Sequence, residues 1–161
     1  MKLGHAAAGT IVEPAEAVLR YLVVPNQTLG GPQLTVWAGE RIRRGPSRFH
    51  VLVPAAPRGE DLVWTEGAAH RLARRRLARA MRRLGDLGVE VSGEVGDADP
   101  ILAIADVLMR QSFDEIVFFT LRPGFSRWLR MELPRRAARR FPVVVTHVIA
   151  APEPGPFTRF P

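Results

Sequence analysis

Cysteine is absent from the 161 residues. That excludes disulfides, thiolate metal sites and cysteine nucleophiles. With four histidines and no cysteine, a zinc-ribbon fold is excluded as well. A thiol-free chain suits a reducing compartment, and a cytoplasmic protein is expected. Lysine is almost missing: Lys2 is the single one, so 23 − 1 leaves 22 arginines among the basic residues. No apolar run approaches the ~18–20 residues of a membrane span. Ala6–Val12 is too short for the apolar core of a secretory signal. Neither GxGxxG nor GxxxxGK[ST] occurs, so both common phosphate-loop fingerprints fail. His-Glu-x-x-His, paired histidines at i and i+4, and Gly-x-Ser-x-Gly are missing too, and no metal site is expected. No acid/base pair predicts catalysis, so a non-enzymatic protein is expected.

What is present is an apolar fraction of 47% and a formal charge of +7. The first is enough to bury a core. The second is carried by guanidinium groups that stay charged and bind carboxylates and phosphates in a forked geometry. Residues 1–18 read as a flexible extension. Residues 151–161 hold Pro152, Pro154, Pro156 and Pro161, which forbids regular structure and predicts a mobile tail.

Between them, residues 19–150 read as one α/β domain. Tyr21–Pro25, Phe49–Val53, Val89–Gly93, Glu115–Phe119 and Pro142–Val148 are short runs, mostly apolar and β-branched or aromatic, that predict five strands. Gln33–Arg43 places Leu34, Trp37, Ala38 and Ile42 on one helical face, and Gly45-Pro46 stops it. Glu60–Leu87 predicts a long helix. Asp99-Pro100 predicts a helix start, Asp as N-cap and Pro at the first position, with Ile101, Ile104, Ala105 and Leu108 buried. A last helix is predicted from about Pro134 to Arg140. Five such strands alternating with helices predict an open parallel sheet covered on both faces. Ligands in such sheets sit at the strands' carboxyl ends, near the switch in strand order.

Two loops therefore matter most. Asn26-Gln27-Thr28-Leu29-Gly30-Gly31 follows the first strand; Asn26 is either a ligand contact or a turn residue bonding its own backbone. Thr120 to Glu132 follows the fourth and carries Arg122, Gly124, Ser126, Arg127, Trp128 and Arg130. Its arginines read either as an anion clamp or as a solvated rim above packed Phe125 and Trp128.

Three stretches resemble the universal stress protein family over roughly residues 21–150. Leu22-Val23-Val24-Pro25-Asn26-Gln27-Thr28 is similar to the family's first strand and its Asp-Gly-Ser turn. Gly96-Asp97-Ala98-Asp99-Pro100 with Ile104-Ala105 is similar to its Gly-Asp-Pro helix start. Asp114-Glu115-Ile116-Val117, Gly124-Phe125-Ser126-Arg127 and Pro142-Val143-Val144-Val145 are similar to its closing third. Ser126-Arg127-Trp128-Leu129-Arg130 and Leu133-Pro134-Arg135-Arg136 also resemble an uncharacterised actinobacterial branch. The resemblance implies strand order 3-2-1-4-5, a regulatory or stress-response role, and a homodimer through the edge at 143–148. It also implies nucleotide contacts at Asn26, Thr28, Val53, Arg122, Gly124, Ser126, Arg127 and Arg130, with ATP or another adenine nucleotide as the ligand.

The ATP-binding members carry Gly-x2-Gly-x9-Gly-Ser/Thr after strand four. Here Gly124, Ser126 and Arg127 fall in the spacer. The motif glycines fall near Phe119, on Leu121 or Arg122, and on Met131, and the hydroxyl falls on Glu132. The first-loop Asp is Asn26. Glu132 also stands where the last helix begins, and a carboxylate there should satisfy the helix amides and repel phosphate by on the order of 1 kcal/mol. The expectation is thus no bound cofactor and no ATP binding in the family manner, with an adenine-nucleotide binder as the alternative.

His50 and His147 lie within strands and are expected to be buried and hydrogen-bonded; His70 is expected to be exposed. Arg71, Arg74, Arg75, Arg76, Arg79, Arg82 and Arg83 crowd one helix whose stripe Ala73, Leu77, Ala80, Leu84 faces inward. That face is either solvated and partly paired or, as a second alternative, associated with nucleic acid.

Overall fold

The computed structural model describes residues 16–25, 32–56, 65–121 and 132–150. The expected tails, 1–18 and 151–161, fall outside these residues apart from 16–18. The chain alternates strand and helix: β1 (Leu19–Pro25), α1 (Gln33–Arg44), β2 (Ser47–Pro54), α2 (Glu66–Gly85), β3 (Glu90–Gly96), α3 (Pro100–Arg110), β4 (Glu115–Leu121), α4 (Leu133–Arg140) and β5 (Val144–Ala150). All pairings are parallel, in the order β3-β2-β1-β4-β5. The fold is therefore an open five-stranded α/β sheet, as the alternating pattern requires.

Alternation along the central strands makes two cores. Tyr21 and Val23 of β1 join Phe49, Val51 and Val53 of β2, Val117 and Phe119 of β4, and the inner faces of α1 and α2. Leu22 and Val24 face the other way, with Leu52, Ile116 and Phe118, under α3 and α4. Every residue from Tyr21 to Pro25 is consequently buried, which explains why this strand reads as one apolar run. An aromatic nest anchors the first core: Tyr21 stacks on Phe49 with centroids 5.3 Å apart, and Trp37 meets Tyr21 and Phe119 edge-on at 5.4 and 5.6 Å.

Several boundaries differ from the sequence expectation. Helix α2 starts at Glu66, capped by Thr65, whose Oγ1 accepts from the Ala68 amide at 3.3 Å; residues 60–64 lie outside the described residues. β3 continues through Gly93 to Gly96. β5 begins two residues beyond Pro142, which has no amide to give to a ladder. The Asp99 cap is as expected: Oδ1 accepts from Ile101 N–H at 2.8 Å, and Pro100 opens the helix. Its buried face is Pro100, Ala103, Ile104 and Val107, however, while Ile101, Ala105 and Leu108 only border the core. Small Ala103 faces inward because α3 lies so close to the sheet that a Cβ on Gly96 would come within 2.7 Å of Ala103 Cβ.

Candidate functional site

The crossover after β1 leads to β2 on one side of the sheet, and that after β4 leads to β5 on the other. Strand order thus switches between β1 and β4, and the ligand crevice of such a sheet opens beyond their carboxyl ends. Pro25 and Leu121 lead there. Asn26, Thr28, Arg122, Gly124, Ser126, Arg127 and Arg130 lie outside the described residues. Val53 is described: it is 2% exposed and packed in the first core near the end of β2.

Glu132 borders the crevice as the residue before α4. Its backbone is left-handed (φ 49°, ψ 34°), and its carboxylate makes no capping hydrogen bond. This corrects the expectation that it satisfies the helix amides. It lies instead 3.7 Å from Arg135, with both side chains largely exposed. Its negative charge nevertheless stands at a helix amino end, where the partial positive charge is otherwise available to an anion.

Below α4, on the same sheet face, buried Thr120 hydrogen-bonds Nε2 of His147 across the β4–β5 pair. Burial lowers the His147 pKa from its ordinary 6.5 and favours the neutral ring.

A described cleft lies at the other side of the sheet's carboxyl edge. It measures about 640 Å³ and is formed by the end of β3, the first turns of α2 and one flank of α3. That volume falls in the range of small-molecule sites. Its floor is small and apolar: Ala55, Val95, Ala103 and Val107. Its rim is acidic, with Glu66, Glu94, Asp97 and Asp106 against one arginine, Arg110, and His70. His70 is thus half-buried in a cleft wall, where sequence reasoning expected exposure. Asp97 is partly occupied, since its Oδ1 accepts from the Asp99 amide at 2.8 Å.

A polar network supports the cleft. Arg110 Nη2 donates to both oxygens of Glu94, at 2.8 and 2.9 Å. His50 Nε2 lies 3.2 Å from Glu94 Oε1, and its Nδ1 lies 2.7 Å from Ser92 Oγ. Burial works to raise the Glu94 carboxyl, but Arg110 and His50 outweigh it and hold the pKa below 4.5. His50 is 7% exposed and hydrogen-bonded, as expected of a core histidine. Ser92, His50 and Glu94 have the residue types of a hydrolytic triad. Ser92, however, sits mid-strand, paired with His50 in the ladder, rather than at a turn that would present free amides to an oxyanion. Its chemistry here is to tie β2, β3 and α3 together.

Sequence reasoning missed this cleft because its acids are scattered over three elements and share no motif. Only the topology brings Glu66, Glu94 and Asp106 together. Among the described residues no group of three or more metal-type ligands converges. No helix among them is long and apolar enough to cross a membrane.

No family model matches the chain, and no curated protein matches it in sequence. Among solved structures, that of a universal stress protein in complex with cAMP aligns over 80% of this chain and 96% of its own, at 16% identity and a TM-score of 0.49.

Proposed function

We propose that the chain is a non-catalytic, cytoplasmic regulatory protein of the universal stress protein kind that does not hold ATP in that family's manner. The observation that carries this reading is Glu132: a carboxylate occupies the amino end of α4, where the family motif places a hydroxyl. Phosphate brought there meets a like charge instead of an unopposed helix amino end. The described cleft offers no substitute, because four carboxylates on its rim oppose an anionic ligand. Without a nucleotide to sense, the protein acts through protein contacts.

The assembly proposed with it is a homodimer through β5. That strand is paired on one side only, with Val144 66% and Ile149 51% exposed. An unpaired apolar edge favours addition of another strand.

Native mass spectrometry of the purified protein tests both parts. The expected spectrum shows a dimer whose mass equals twice the chain. A mass increment of an adenine nucleotide would instead support the alternative, a nucleotide held by Asn26, Thr28, Val53, Arg122, Gly124, Ser126, Arg127 and Arg130. A monomer at tens of micromolar would remove the dimer.

A further inference from the structure

Helix α2 spends its apolar stripe entirely on the sheet: Ala69, Ala73, Ala80 and Leu84 are buried, and Leu77 and Met81 pack beside them. Its outer face carries Arg71, Arg74, Arg75, Arg79 and Arg82, all exposed. At about 100° per residue these five fall within an arc of about 140°, along about 16 Å of axis. The only acidic residue on the helix is Glu66, in its first turn. Among the described residues none of the five forms an ion pair. A solvated face balanced by acidic neighbours would show such pairs.

We infer that this face of α2 docks the phosphate backbone of duplex nucleic acid, without reading its sequence. Each guanidinium fork suits a phosphate, and along the row Arg71, Arg75, Arg79 and Arg82 the axial rise between neighbours is about 4.5–6 Å. The rod is rigid because its inner face is fixed to the sheet. The exposed arc contains no aromatic residue on which a base could stack, which disfavours single strands. It also contains no large apolar residue to enter a bilayer, since that half of the helix is already buried; this disfavours an anionic membrane. Arginine can pair with guanine edges, but the arc holds no amide or carboxylate side chain to read adenine or cytosine, which favours backbone contacts over sequence readout. The inference is independent of the nucleotide crevice, which lies at the strands' carboxyl ends.

Fluorescence anisotropy of a short mixed-sequence DNA duplex, titrated with the full chain over a salt series, tests it. The expected result is binding whose log affinity falls with log salt at a slope of about −4.5, as five phosphate contacts require. The variant R71Q/R75Q/R82Q, confined to exposed positions, should weaken binding at least about tenfold and flatten the slope by about 3. An equal loss of charge on α4, R135Q/R139Q/R140Q, should leave most of the affinity. Three results would overturn the proposal: no binding at low salt, an α4 variant as damaging as the α2 variant, or phosphatidylserine vesicles bound in preference to the duplex.

Discussion

His147 shows at the scale of one residue how position sets chemistry. It stands on β5, bonded to buried Thr120, and burial depresses its pKa. A group whose folded pKa lies below its unfolded value binds more protons when unfolded. Its stabilisation is therefore intact above pH 6.5 and is lost as pH falls from there through the depressed value. His147→Gln keeps a hydrogen-bonding partner for Thr120 but removes the titration. The expected outcome, by thermal denaturation between about pH 7.5 and 5.5 (about one unit either side of the ordinary value), is a steeper loss of melting temperature in the parent than in His147→Gln. Parallel curves would show that His147 is not the titrating group. Glu94 acts in a separate, lower window: held below 4.5, it contributes above that value and its contribution disappears as pH falls through its folded pKa. The sequence placed His50 correctly, buried and hydrogen-bonded; His147 is hydrogen-bonded as expected but only half-buried, because β5 is an edge strand. The sequence misplaced the Glu132 carboxylate, because capping depends on backbone torsion at the helix entry, and a left-handed φ there leaves no trace in residue type.

At the scale of elements, β3 and α2 approach closely enough to decide which residue fits. A Cβ on Gly93 would stand 2.6 Å from Leu77 Cδ1, 2.8 Å from the Val51 carbonyl and 3.2 Å from Met81 Sδ. The carbonyl cannot move without breaking the sheet. Gly93→Ala should therefore destabilise the fold by about 1–3 kcal/mol through overpacking. For a chain of this length that is a drop of about 2–12 °C in melting temperature, measurable by calorimetry. An unchanged or raised melting temperature would mean that α2 does not pack so tightly. The same contact explains why the end of β3 was misread. Glycine is a punctuation mark in sequence, so Gly93 looked like a strand end; in space it is the gap through which a helix reaches the sheet. Strands β1, β2 and β4 were legible from apolar runs because they are buried on both faces. Edge strands β3 and β5 were legible only in outline, their burial being partial and their pattern weaker.

At the scale of the whole molecule, charge is sorted rather than spread. A chain of formal charge +7 gathers arginine on the outer face of α2 and four carboxylates around the cleft beside β3. The first was visible as a run of residues on one helix; the second was invisible until the fold joined three separate segments. The parallel sheet with order β3-β2-β1-β4-β5 places its crevice between β1 and β4, and Glu132 borders it. Whether that crevice accepts a triphosphate is the point on which the functional account turns. Thermal denaturation with a saturating excess of magnesium ATP decides it. Occupied at 100 times its dissociation constant, a site would add about 2.7 kcal/mol, or about 5–11 °C for a domain of this size. The account predicts a melting temperature equal to that in buffer; a rise of that order would contradict it.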